Sequence, residues 1–239
     1  MYQHYIFDLY GTLFDIETYE EDLKVWEELS IYLSYYGFFY TPVQLRLKIE
    51  QHKQLQLADR SELFTHPEYE MEHCFQQLTN EHGESIDADL AESCTKLFRS
   101  MTMHRLQLYE GVMDMLETLK KRGKSIYLLS NGQRHFIEPE LKLLGIADLF
   151  HDIAISSVEG SCKPDRAFFE TLLQRNQIEV HEAIMIGNDA TTDIAGAQGI
   201  GMDACYIHSN SSPDVSKEEV TCKHQIWDGR IEQILELEV

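Results

Sequence analysis

Four short groups of residues in this chain are of types that do chemistry, and each falls where a predicted strand or turn gives way to a loop. They are Asp8 with Thr12, Ser130 with Asn131, Lys163, and Asp189 with Asp193. A carboxylate at a strand tip, followed at once by the Gly11-Thr12 turn, is placed to act as a nucleophile or a metal ligand. A hydroxyl, an amide and an ammonium group nearby can hold an anion, and a pair of acids can hold a cation. Taken singly, each group has a plainer reading. Asp8 can cap a turn, Ser130-Asn131 can be one, Lys163-Pro164-Asp165 can open a helix and Asp189 can cap the next. Ligands in open α/β sheets bind at the carboxyl ends of the strands, so the four groups gain meaning only if one sheet edge collects them.

The elements needed for that are visible in the pattern. Tyr5, Ile6 and Phe7 are apolar and β-prone, as a buried strand requires, and Gly11 breaks it. From residue 17 to 37, Leu23, Trp26, Leu29, Leu33 and Tyr36 recur at helical spacing, behind acids that suit a helix start. Thr41-Pro42 reads as a cap and first-turn proline for a helix to about residue 59. Further helices are predicted over 67–81 and 87–105, so about 90 residues carry no strand pattern. After Tyr109, strands over 125–129, 152–156, 183–186 and 204–207 alternate with helices, and a last edge strand and helix follow from His224. That alternation predicts a parallel, doubly wound sheet. The expected organisation is a Rossmann-like α/β core from residues 1–15 and 107–239, with an all-α helical bundle, residues 16–106, inserted as a cap.

Composition narrows the class of protein. The chain has 239 residues, 43% of them apolar, and a formal net charge of −21 from 41 acidic and 20 basic side chains. Binding a phosphate polymer depends on basic contacts, so neither nucleic acid nor an anionic membrane is expected as a partner. The five cysteines, at 74, 94, 162, 205 and 222, form no C-x-x-C pair, and reduced thiols in a cytoplasmic protein are the expectation. No signal-peptide pattern or membrane-length apolar run is present. Oligomeric state is not readable.

Asp8-Leu9-Tyr10-Gly11-Thr12, Ser130, Lys163-Pro164 and Asp189-Ala190-Thr191-Thr192-Asp193, in this order, resemble the four motifs of the haloacid dehalogenase-like hydrolases. The helical stretch after the first motif resembles their bundle cap. The resemblance implies that Asp8 is a nucleophile forming an aspartyl intermediate on a small-molecule substrate. In the family's phosphatases it further implies Mg²⁺ held by Asp8, the Tyr10 carbonyl, Asp189 and Asp193. Ser130 and Lys163 would then bind phosphoryl oxygens.

Tyr10 departs from the phosphatase pattern, where an aspartate serves as general acid and base. It matches instead the first motif of the 2-haloacid dehalogenases, whose reaction needs neither proton nor metal. Against that match, residues 17–45 contain no arginine, Phe169 stands where those enzymes carry tyrosine, and Asp189 brings a carboxylate where they have none. Three acids gathered without a cation would repel one another in a poorly solvated site. The expectation is therefore a Mg²⁺-dependent phosphatase on a small phosphorylated metabolite, with a weak general acid because of Tyr10. Dehalogenation of a 2-haloacid, and a low-activity scaffold or binding protein of the same fold, are the alternatives.

Overall fold

The computed structural model describes residues 2–237. Its centre is β1 (His4–Phe7), which is buried on both faces. Tyr5 and Phe7 pack on one side with Ile126, Leu128, Ile184 and Ile186. Ile6 packs on the other with Tyr127, Leu129 and Met185. A strand apolar on both faces belongs inside a parallel sheet covered by helices.

The chain then forms β2 (Phe14–Thr18), α1 (Leu23–Tyr35), α2 (Pro42–Arg60), α3 (Met71–Gln76), α4 (Ala88–Thr102) and β3 (Met103–Leu108). It continues through α5 (Val112–Lys121), β4 (Ser125–Ser130), α6 (Arg134–Leu143), β5 (Asp152–Ile155), α7 (Ser156–Glu159) and α8 (Arg166–Asn176). The last elements are β6 (Ala183–Gly187), α9 (Ala195–Gly199), β7 (Asp203–Ile207) and β8 (His224–Ile226). Among the described residues, six strands form one sheet in the order β5-β4-β1-β6-β7-β8, every pair parallel. This is the Rossmann-like α/β fold that the sequence predicts. Phe7 lies in register with Leu128 of β4 and Ile186 of β6, so the loops after these three strands open side by side.

Two strands were not legible as such. β2 and β3 pair antiparallel where helix and loop are expected, with Phe14 opposite Leu108 and Glu17 opposite Arg105. Arg105 reaches both Asp15 and Glu17 at 3.1 Å. Acids that read as the start of a helix are thus cross-strand partners, and α1 begins only at Leu23, capped by Asp22. The second helix is capped as expected, Thr41 and Gln44 forming a reciprocal capping box ahead of Pro42. The expected helix over 67–81 shortens to Met71–Gln76, and the final one is a 3₁₀ turn, Ile231–Glu236.

Helices α1 to α4 bury a cluster of their own, including Trp26, Leu29, Leu45, Phe75 and Phe98. Of the aromatic run at the end of α1, only Phe38 is buried, while Tyr35, Tyr36 and Phe39 are exposed. Phe136 of α6 joins the helical cluster from the sheet side. Beside it, Arg99 of α4 donates from Nε to Glu140 Oε1 of α6 at 2.6 Å, with both side chains at most one-tenth exposed.

Removing one member of a buried pair leaves the other charge unmet, at a cost of about 3–5 kcal/mol. Arg99→Met is therefore expected to lower unfolding free energy by about that amount in urea denaturation. Arg99→Met combined with Glu140→Leu is expected to cost less than the single change.

Candidate active site

Asp8 directly follows β1, its N–H donating to Ile186 O at 2.9 Å, which fixes the turn against β6. Gly11, at φ +84°, allows the chain to fold back there. A Cβ at this position would stand 2.3 Å from the Asn188 amide, so only glycine lets the two loops approach this closely. Thr12 is thereby brought under Asp8, and its Oγ1 donates to Asp8 Oδ2 at 3.0 Å.

Lys163 lies on the loop before α8 and is buried. Its Nζ sits 2.5 Å from Asp8 Oδ1 and 2.7 Å from Asp193 Oδ1. Burial works against the ammonium charge, but Asp193 and Asp8 outweigh it and hold the lysine above its ordinary pKa. Burial pushes Asp193 upward, and Lys163 offsets only part of that. Asn131, after β4, clamps the lysine's main chain. Its Oδ1 accepts from Lys163 N at 2.8 Å and its Nδ2 donates to Lys163 O at 3.1 Å. Ser130, at the last position of β4, is fully buried, and its Oγ lies 3.5 Å from the Asn131 carbonyl.

The end of β6 differs from the expected ligand set. Asp189 turns its carboxylate into the following turn, where Oδ1 accepts from Thr191 N and Thr191 Oγ1 at 2.7 Å and from Thr192 N at 3.3 Å. Burial of Asp189 is outweighed by these bonds, which lower its pKa. Its own N–H fixes Asp193 Oδ2 at 3.0 Å. The side chain that faces Thr12 is that of Asn188, with Oδ1 3.3 Å from Thr12 Oγ1. Among the described residues, no three acidic, histidine or cysteine side chains converge on one point. The donors gathered here are all oxygens: Asp8, Asp193 and the Asn188 amide. Asp193 Oδ1 has the Lys163 ammonium at 2.7 Å and, among the described residues, no other hydrogen-bond partner. Mg²⁺ takes one or two carboxylates and keeps several waters, so this smaller set fits it without the Asp189 carboxylate.

Tyr10 points away from Asp8. Its hydroxyl donates to Glu140 Oε2 at 2.7 Å, and the Arg99 guanidinium lies 5.3 Å from its ring centre. Burial, followed by the Glu140 charge, raises the phenol well above its ordinary pKa. Tyr10 also borders a cleft of about 380 Å³, together with Asn131, Glu20, Glu68, Tyr69 and Arg99. Arg99 and Glu140 lie far from Tyr10 in the chain and outside residues 17–45, so no local spacing marks them as its partners. Asn188 directly follows the glycine that ends β6, and that position is its one signal in the sequence.

A family model described as haloacid dehalogenase-like hydrolase matches residues 2–201. The chain belongs to that family. Among curated members, the HAD-hydrolase YfnB of Bacillus subtilis is 29% identical over 142 residues, 59% of each chain. A phosphoglycolate phosphatase of Vibrio cholerae is 29% identical over 133 residues, 52% of this chain and 58% of its own. The matched stretch thus spans little more than half the length of these relatives. Among solved structures, a 2-haloacid dehalogenase from Pseudomonas syringae superposes with a TM-score of 0.70 at 23% identity, covering 99% of this chain and 97% of its own. YfnB bound to magnesium superposes at 0.54 and 22% identity, over 98% and 97%. Such likenesses establish the fold, and the family match places the chain among the haloacid dehalogenase-like hydrolases.

In this family member the tightest constraint on Asp193 is Gly187, where an added Cβ would meet Asp193 Oδ2 at 2.2 Å. Gly187→Ala is expected to cost about 1–3 kcal/mol through overpacking and to displace the carboxylate. Gly199→Ala, with nothing within 4 Å, should stay within about 0.5 kcal/mol of the parent. Denaturant midpoints of the two variants check both expectations.

Proposed function

We propose that the chain is a Mg²⁺-dependent phosphohydrolase in which Asp8 is the nucleophile, acting on a small phosphorylated molecule. The observation that carries this reading is the charge balance around Lys163, two buried carboxylates against one ammonium. A buried site with surplus negative charge and only oxygen donors suits a hard cation and disfavours a bare anion. The phosphatases among the curated relatives agree with it. Asp8, the Tyr10 carbonyl and Asp193 would hold the ion, with the Asn188 amide beside them and the Asp189 main chain steadying Asp193. When bound, Mg²⁺ supplies positive charge that offsets charge on the phosphoryl oxygens.

A carboxylate oxygen of Asp8 attacks phosphorus, a new P–O bond forms, and the bond to the leaving group breaks with its electron pair. Water then attacks the aspartyl phosphate at phosphorus, releasing inorganic phosphate and restoring the carboxylate. Lys163, held by Asn131, keeps one Asp8 oxygen oriented, and Thr12 holds the other. Ser130 stands at the strand end where a phosphoryl oxygen would lie. Tyr10 donates its hydroxyl hydrogen bond to Glu140 and offers none to the leaving group. Loss of general-acid assistance costs about 10²–10⁴-fold, so acyl and aryl phosphates are the favoured substrates and alkyl phosphates the slow ones.

Dehalogenation is the second reading. It is favoured by one observation, that Lys163 bridges Asp8 and Asp193 with no need of the Asp189 carboxylate. The helical segment α1–α4 serves as the cap in either case.

p-Nitrophenyl phosphate should be hydrolysed with Mg²⁺ and not with chelator, and Asp8→Asn should abolish turnover. Chloride release from 2-chloropropionate in the presence of chelator would establish the second reading instead. Tyr10→Phe is expected to keep kcat within about threefold of the parent, since general-acid loss would cost far more. A drop of a hundredfold in the steady-state assay would return the phenol to the chemistry.

A further inference from the structure

A cleft opens beside Tyr10, two residues along from Asp8, and Asn131, whose amide holds Lys163, and its wall is unusual in what it offers a ligand. Glu20 and Glu68 line it, and Arg99 is its one basic side chain. That charge is already matched. Arg99 Nε binds Glu140 Oε1 at 2.6 Å, Nη2 lies 3.4 Å from Oε2, and Nη1 lies 3.8 Å from Glu20 Oε1. Its guanidinium also lies 4.9 Å from the centre of the Phe136 ring. Glu140 is further fixed by the Tyr10 hydroxyl. Taking Arg99 for a ligand carboxylate would strand Glu140 in the interior, which costs several kcal/mol.

Of the remaining polar groups on the wall, Glu20 and Glu68 carry negative charge, with the Thr18 and Tyr69 hydroxyls beside them. Gln133, the amide best placed to donate, is engaged at both ends, accepting from Met71 N at 2.8 Å and donating to Tyr69 O at 3.0 Å. Glu68 accepts from Ser156 Oγ at 2.8 Å and Tyr69 N at 3.0 Å, which orients its carboxylate and leaves lone pairs available. Glu20 has no hydrogen-bond partner closer than the loose contact with Arg99, and its side chain is about half exposed, at 48%.

We infer that the cleft selects phosphorylated compounds whose organic part carries hydroxyl or ammonium donors and no second anion, with Glu20 and Glu68 as the specificity-determining residues. The inference rests on the phosphohydrolase reading and names the substrate class of that same site. It sets this chain apart from a phosphoglycolate phosphatase, whose ligand would bring a carboxylate to the acidic wall.

Three esters of one length decide it: O-phosphoethanolamine, 2-hydroxyethyl phosphate and 2-phosphoglycolate. Their dissociation constants are measured by calorimetry on the Asp8→Asn protein with Mg²⁺, so that none is consumed. The first two should bind about tenfold more tightly than phosphoglycolate, or more. In Asp8→Asn carrying also Glu20→Gln and Glu68→Gln, with an unchanged thermal midpoint, the preference should fall towards unity. A preference for phosphoglycolate overturns the inference, above all if Arg99→Lys removes it. So does equal binding of the three, failure of all three to bind, or a preference that the double glutamine change leaves intact. Turnover of acetyl phosphate by the parent protein is measured separately. Its absence would overturn the phosphohydrolase reading while leaving the order of affinities to be judged alone.

Discussion

The whole site depends on one ammonium group lodged between two carboxylates in the interior. Lys163 touches Asp8 on one side and Asp193 on the other, each at salt-bridge distance and all three almost free of solvent. None of the three charges would be tolerable there alone. Much of the surrounding structure keeps this trio in place. Asn131 ties down the lysine's backbone, Thr12 takes the second Asp8 oxygen, and the Asp189 N–H takes the second Asp193 oxygen. Those tethers come from the loops after β4, β1 and β6, three adjacent strands, so the sheet order and the charge cluster are one arrangement.

How far this was legible follows from what each feature requires. The sheet was readable because both faces of its strands are buried and leave continuous apolar runs between turn signals. The positions of Asp8, Thr12 and Asn131 followed from their places just after strands, and that of Lys163 from the loop ahead of a helix. The β2–β3 ribbon was hidden because its polar residues pair across strands, Arg105 with Asp15 and Glu17, and sequence separation conceals such a pairing. The direction of a side chain after a strand is harder still. Asn188 and Asp189 are neighbours, and the turn's need for a capping acceptor sends the acid one way and the amide the other. Composition says nothing about that choice, because it is made by two peptide N–H groups and a threonine hydroxyl.

Tyr10 illustrates the same limit from the other side. As a letter in a motif it signals a missing proton donor. In the fold it is a strut, with its hydroxyl on Glu140 and its ring beneath Arg99. Long-range partners 89 and 130 residues away in the chain define its role, and no local pattern could have named them.

That strut has an evolutionary consequence. An aspartate at position 10 would withdraw the phenol that now satisfies Glu140 and would leave the space under Arg99 unfilled. Either change alone crosses a valley of lower stability, so positions 10, 99 and 140 are epistatic. Any replacement of Tyr10 must therefore be matched by a rebuilt contact between helices α4 and α6.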